Sequence, residues 1–384
     1  MKLFGDKRSN GHKESSSVNN GNNINSNKNG KNKKKPKAKP WFIALAVIAA
    51  LFLSAIAYWV ITTKAPEIAT PNIPEGEIVN VSSKGRRAGV YTLLVVGNDQ
   101  EGYNTDTIMV LSYDSNNKTA SAASIPRDTM VNVESESKKI NAVYQYGGME
   151  NLLDAVEGIV GFRPDNYIMV DTGCFIDVID AMGGLYFDVP QDMEYEDFSD
   201  HDKDGIFEYV FQINVEKGYQ LLNGYDALGV YRYREGYAMG DIQRLEVQHN
   251  LIMAAAEQFM STRNIFKLYQ VASILSDNAE TDLSYGNLQW YAQQFLGLSM
   301  ESISVSSMPT TGAYVNITSY VLINVDEWIE MLNSKINPMN EEIDREDCSI
   351  LYWTNPSAPI DGQFRVEPRD LATTDGSKVY TNFQ

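Results

Sequence analysis

Two aspartates and four arginines are the residues whose types and spacing could do chemistry here. Asp99 follows the apolar run Gly89 to Gly97, and Asp106 precedes a second run, Thr107 to Tyr113. Loops leaving strand ends are where sites gather. Two carboxylates at adjacent strand edges suit a hard cation, since magnesium takes one or two protein carboxylates and completes its shell with phosphate oxygens. Aspartate is also a common turn former, so both readings stay open. Arg127 ends the stretch Ser124-Ile125-Pro126-Arg127. Arg232 and Arg234 alternate with tyrosines in YRYR, a period of two that puts both guanidiniums on one face of an extended segment. Arg244 and Gln248 are four apart on a predicted helix and share a face, with Asp241 one turn earlier. Arginine recognises phosphate through paired hydrogen bonds. With the aspartate pair, these arginines suit a diphosphate held with a divalent cation, Mg2+ or Mn2+. The competing reading is solvated ion pairs on an acidic surface.

Other chemistries find less support. Asp200, Asp202 and Asp204, followed by Gly205, start like a calcium loop, but the twelfth position is Phe211 instead of a bidentate Glu. A Ca2+ site and a solvated acidic loop are both open there. The three histidines, His12, His201 and His249, form no HExxH pattern, and no GxSxG elbow is present. Cys174 and Cys348 lie in no CxxC pair, which excludes a zinc ribbon. They form either one bridge or two buried thiols.

The elements that must position these residues alternate. Strands are predicted at Gly89–Gly97, Thr107–Tyr113, Ala120–Ile125, Tyr167–Asp171 and Leu185–Val189. Helices are predicted at Asn151–Val160, Phe175–Met182, Asp226–Val230, Asp241–Phe259, Asn264–Leu275 and Leu283–Leu298. Alternation of this kind favours a sheet covered by helices.

Charge separates the chain's beginning from its body. Residues 1–40 carry 11 basic and 2 acidic side chains, while the rest carries 21 basic and 48 acidic. An acidic body argues against nucleic acid as a partner, because phosphate chains would be repelled. Residues 10–40, rich in Ser, Asn, Gly and Lys, bury no core and are expected to be disordered. Residues 41–63 are uncharged, and about 20 apolar residues suffice to cross a bilayer. Trp41, Tyr58 and Trp59 sit where interfacial anchors would, and six lysines precede the run. The expectation is an uncleaved signal-anchor in the cell membrane: residues 1–40 a basic cytoplasmic tail, 41–63 a transmembrane helix, 64–88 a proline-bearing extracellular linker, and the domain beyond it extracellular.

The blocks LLVVGND, TDTIMVLSYD, SIPRD, KINAVYQYGG, VIDAMGGLYFDVP, GYQLLNGYDALGVYRYR and GDIQRLEVQ, in this order over roughly residues 89–335, resemble the LytR-CpsA-Psr (LCP) family of envelope proteins. The resemblance implies an α/β fold with a mixed β-sheet flanked by helices over 89–337, and an apolar pocket for a polyprenyl chain. It leaves 338–384 as a C-terminal tail with no assigned role. It implies transfer of an anionic or other glycopolymer, such as teichoic acid or capsule, from an undecaprenyl-diphosphate carrier to peptidoglycan, with magnesium. The implied partners are the lipid-linked glycan, peptidoglycan and membrane lipid. By motif, Asp99 and Asp106 match the family's metal-associated aspartates. Arg127, Arg232, Arg234, Arg244 and Gln248 match its diphosphate-binding residues. Arg127, Asp241 and Arg244 are the implied catalytic set, and Lys139 falls in the KIN motif near the head group. The apolar helical stretches Asn151–Val160 and Leu251–Phe259 are candidates to line the pocket. Where relatives often have arginines, this chain has Gln100 and Glu101 after the first aspartate, Asn104 two before the second, and Val247 on the helix. That departure motivates two alternatives: a polyprenyl-diphosphate-binding or regulatory protein without turnover, and a diphosphatase in which water replaces the sugar acceptor.

Overall fold

The computed structural model describes residues 50–51, 53–54, 58, 61–68, 85–98, 105–199, 208–237, 241–261, 265–355 and 364–382, with a few of their side chains set aside. The chain divides into two units, 1–56 and 57–384.

The expected transmembrane helix is overturned. No helix among the described residues is long and apolar enough to cross a membrane. In the 41–63 stretch the described helical positions are Ala50, Leu51, Leu53, Ser54, Tyr58, Ile61 and Thr62, and most of the stretch lies outside the described residues. The single-pass topology, the signal-anchor and the cytoplasmic and outer sides built on that helix are withdrawn with it. The basic tail, 1–40, lies outside the described residues.

The second unit is built on a six-stranded mixed sheet. Its strands are β1 (Val90–Asn98), β2 (Thr105–Asp114), β3 (Thr119–Ser124), β4 (Asn166–Val170), then β9 (Glu280–Thr281) and β10 (Ile303–Ser307). The order across the sheet is β10-β3-β2-β1-β4-β9. β1 runs antiparallel to β2 and parallel to β4, and β3 runs parallel to β10. Between β4 and β9 come two hairpin-like pairs, β5 (Leu185–Val189) with β8 (Gly218–Leu222), and β6 (Met193–Ser199) with β7 (Glu208–Val215).

Seven helices cover or flank this framework: α1 (Ile140–Val160), α2 (Thr172–Met182), α3 (Gly224–Arg232), α4 (Asp241–Ser261), α5 (Ile265–Asn278), α6 (Tyr285–Leu296) and α7 (Val325–Met331). α1 starts eleven residues before the predicted helix and is broken at Gly148, whose φ of 68° suits glycine. α2 ends at Gly183 with φ 90°, a left-handed stop. β11 (Thr310–Val315), β12 (Thr318–Ile323), β13 (Leu351–Trp353), β14 (Phe364–Val366) and β15 (Leu371–Thr373) form smaller sheets beside the main one.

Strand alternation sends neighbouring residues to opposite faces. Leu94, Val96, Ile108 and Val110 point to one face, where α1 (Leu152, Val156, Ile159) and Trp328 of α7 close a continuous core. The Trp328 indole donates to the Ile159 carbonyl at 2.9 Å, so its one polar atom is satisfied inside that core. Leu93, Val95, Met109, Leu111, Ala120 and Ala122 point to the other face, which is only partly filled: Leu93 and Val95 pack with Ile168, Ala272, Leu283 and Leu288, and the rest opens on a hollow.

Cys174 and Cys348 are both free and buried, so no bridge joins them. Burial and the carboxylates of Asp171 and Asp177 push the Cys174 thiol up to about 11.

Candidate active site

The partly filled face holds a cavity of about 470 Å³, and a second of about 250 Å³ adjoins it. Both are lined in part by Leu111, Ala120, Phe259, Val271 and Phe295, so together they run on as one apolar space. The sheet makes the floor with Val95, Met109, Ala122, Val170 and Val305. The register explains why these meet: Val95 pairs Met109, Leu111 pairs Ala122, and Ala122 pairs Val305. The alanines of β3 leave the room that larger side chains would occupy. The roof is α2 (Phe175, Val178, Met182), α4 (Ile252, Met253, Phe259), Val271 of α5 and Phe295 of α6. The predicted lining from Leu251–Phe259 is therefore in place. Asn151–Val160 instead lies in α1 on the filled face, with Leu152, Val156, Ile159 and Val160 buried in the core.

Polar groups collect at one end, where β1 and β4 finish. Asn98, Asp106, Thr107, Asp171, Thr172 and Arg232 line the space there. The crevice beyond the carboxyl ends of sheet strands is the usual place for ligands in α/β folds.

The arginines converge on this end. Arg127 donates to Asp106 at 2.7 Å, and both side chains are about one-third exposed. Arg234 is held below the usual arginine value, first by burial, then by repulsion from Arg127 and Arg244, with Asp106 opposing and Arg232 adding to the repulsion. Three other guanidiniums and the Asp106 carboxylate therefore lie near enough to act on Arg234 at this mouth. In an acidic chain such local excess of positive charge marks a place for an anion.

The two YRYR arginines are brought there by a helix end, not by the extended segment expected. Arg232 is the last residue of α3, and the backbone turns extended only at Tyr233. Tyr233 is buried, edge-on to Tyr237 at 5.6 Å, while Arg232 and Arg234 are exposed on either side of it. Burial, with Tyr233 close by, raises the Tyr237 phenol to about 12.

Gln248 and Arg244 share α4, as their spacing predicts. The Gln248 amide is spent on the protein itself, since Nε2 donates to the Tyr231 carbonyl at 2.9 Å. The last carbonyls of a helix lack helical partners, and Gln248 satisfies one of them. Lys139 is paired with Asp128 at 2.9 Å, one residue past Arg127, and stands 5.9 Å from the Tyr320 ring centre. Asp241 is the first residue of α4, but its side chain lies outside the described residues, as do Asp99, Gln100, Glu101 and Asn104.

The metal expectations are not met. Among the described residues no group of three or more His, Cys, Asp or Glu side chains could hold an ion. Asp106 is turned to Arg127 and Asp99 lies outside the described residues, so among the described residues no aspartate pair is set to hold Mg2+ or Mn2+. The Ca2+ expectation at Asp200, Asp202 and Asp204 falls on residues outside the described ones.

Sequence reasoning passed over Tyr231 and Thr107. Tyr231 lines the cavity, and its hydroxyl and Thr107 Oγ1 share a hydrogen bond of 2.8 Å. The only signal in the residues was the tyrosine preceding Arg232, which composition alone reads as core.

The model of the LytR_cpsA_psr family matches residues 56–337. The chain belongs to this family. Among its LytR_cpsA_psr relatives, TagV of Bacillus subtilis (strain 168), a polyisoprenyl-teichoic acid–peptidoglycan teichoic acid transferase, is 31% identical over 215 residues, covering 55% of this chain. The match spans about half (53%) of TagV. TagU of Oceanobacillus iheyensis, which bears the same activity in its name, is 28% identical over 245 residues, covering 62% of this chain and 71% of TagU. The crystal structure of Bacillus subtilis TagV superposes with a TM-score of 0.52 at 27% identity, covering 65% of this chain and 96% of that one.

Proposed function

We propose that this chain transfers a glycopolymer from a polyisoprenyl-diphosphate carrier to peptidoglycan, as the names of TagV and TagU state for those relatives. The observation that carries the reading is an apolar space of about 470 Å³ whose polar end gathers Arg127, Arg232, Arg234 and Arg244. A polyisoprenyl tail gains by leaving water for such a space. Its diphosphate would then reach the arginines without a polar group entering the apolar interior.

In this reading an acceptor sugar hydroxyl attacks the glycan-side phosphorus. A new oxygen–phosphorus bond forms, and the bond to the bridging oxygen breaks. Polyisoprenyl phosphate leaves with that electron pair, and the hydroxyl proton passes to solvent or to a nearby carboxylate. Negative charge spreads over the non-bridging and leaving oxygens as the bond breaks. Guanidiniums already fixed around that position stabilise it without reorganising at the moment of reaction. Arg127 must exchange Asp106 for phosphate, and Asp106 then lies beside the reacting group. Arg232, at the cavity wall, is placed for the lipid-side phosphate.

The test is turnover of a polyisoprenyl-diphosphate-linked glycan by the full chain, with peptidoglycan as acceptor. Glycan attached to peptidoglycan, lost in R127A, is the expected result. Phosphate-ended free glycan would replace the transferase with a diphosphatase. Tight lipid binding without either product would leave a binding or regulatory protein.

A further inference from the structure

We propose that Tyr231 is a positioning residue, whose hydrogen bond to Thr107 sets the spacing of the arginines around the diphosphate. This rests on the proposed function. Tyr231 is the next-to-last residue of α3 and Arg232 the last. Three elements meet on it. Its hydroxyl joins Thr107 of β2 at 2.8 Å, directly beside Asp106, the partner of Arg127. Its carbonyl accepts from Gln248 of α4 at 2.9 Å, one turn after Arg244. Its ring lines the apolar cavity, 6.3 Å from the Phe175 ring centre.

The arginines come from separate pieces of chain: Arg127 from the loop after β3, Arg232 and Arg234 from the end of α3, and Arg244 from α4. Like charges brought this close push one another apart. Something neutral must fix their origins. The Tyr231 hydroxyl is suited to the task because it is half-buried and neutral: burial is the first cause that raises its phenol and Asp106 adds to it, while the Thr107 bond and Arg244 oppose the rise. A hydrogen bond of ordinary length between two half-buried hydroxyls still fixes their separation closely. Displacing catalytic groups by about 1 Å is enough to cost a large factor in rate. Gln248, on this reading, acts through the Tyr231 backbone and not by holding phosphate.

The test separates positioning from mere stability. Y231F and T107V each leave one half-buried hydroxyl without its partner, which costs stability. The double variant leaves two apolar groups of matching shape, which is close to neutral. Turnover of the lipid-linked glycan and thermal unfolding are measured on the full chain for all four proteins. Each single variant is expected to lose about tenfold in kcat/KM. The double variant is expected to regain the wild-type unfolding temperature while remaining about tenfold slow, not a hundredfold. Activity that recovers with stability would reduce Tyr231 to a structural residue and overturn the proposal, as would a hundredfold loss in the double or wild-type rate in Y231F. Should the wild-type chain bind the carrier without turnover, the proposed function falls first. The same comparison is then read with inorganic pyrophosphate affinity by calorimetry, where a double variant of restored stability is expected to bind about tenfold more weakly, and equal binding overturns the proposal.

Discussion

The two faces of the central sheet are made from the same strands and have different interiors. On one face Leu94, Val96, Ile108 and Val110 meet α1 and the fully buried Trp328. On the other, Val95, Met109, Leu111 and Ala122 look into a hollow under α2, α4, α5 and α6. Composition does not separate them, since both are apolar. Side-chain size and helix placement do. The filled face has a tryptophan reaching from α7 to the helix backbone. The hollow face has alanines on β3 and helices that stand off the floor. Packing the first gives stability, because interiors at native density gain contacts on every side. Leaving the second partly empty forfeits those contacts and gains a place for an apolar chain. Stability and function are thus assigned to opposite faces, with the arginines at the rim of the hollow one.

That division can be broken most severely at Trp328. Trp328→Ala would open a void on the filled face and orphan the Ile159 carbonyl. A loss of about 3–5 kcal/mol of stability is expected, readable by urea unfolding, and an unchanged midpoint would show that the filled face is not where stability resides. Arg127→Ala tests the opposite side. Its ion pair with Asp106 is one-third exposed and contributes about 1 kcal/mol or less to stability. Turnover is expected to fall by about a hundredfold or more. A variant that unfolds early but keeps its rate would reverse the assignment.

Ala122→Leu sharpens the comparison. On a filled face the added carbons would cost roughly 1–3 kcal/mol by overpacking. On the hollow face they enter vacant apolar space. The expected outcome is an unfolding midpoint equal to or above wild type, with weakened binding of a polyisoprenyl phosphate. A lowered midpoint would mean that the hollow is closed in solution.

Much of this architecture was readable from the residues. β1, β2, β3, β4 and β5 lie where apolar runs between turn residues put them, and Gly183 ends its helix as Gly183-Gly184 suggested. The first part of α1 was missed because Ile140 to Gly147 has a weak apolar pattern and ends at two glycines. The β6 and β7 pair was missed because its sequence is rich in acids and aromatics, and the Asp204-Gly205 step between the two strands was read as part of a calcium loop. The arginines were found by type. They were also expected around one diphosphate; what was not legible is that the end of α3 is tied to β2 and α4 through Tyr231. Asn151–Val160 was misplaced on the cavity because helical periodicity reports an apolar face and not which side of the sheet receives it. The membrane helix was inferred from an uncharged run, and such a run does not guarantee one long helix.

The smallest expected effect lies at a tie between roof and floor on the hollow face. His249 of α4 places Nε2 3.4 Å from Ser307 Oγ, at the end of β10. Burial holds its imidazole below the usual value. As pH falls, the unfolded chain therefore takes up this proton before the folded chain does. The contribution of His249 is whole above about pH 6.5, the value of an unperturbed histidine, and is lost as pH falls below it. His249→Gln keeps a hydrogen-bonding group and removes the titration. The drop in unfolding midpoint between pH 7.5 and pH 5 should be smaller in this variant than in wild type. Carboxylates titrate equally in both proteins and cancel in the difference. Parallel curves would mean that the roof over β10 opens enough for the imidazole to be solvated in the folded state. The hollow face would then be looser than the filled one in its helices as well as in its interior.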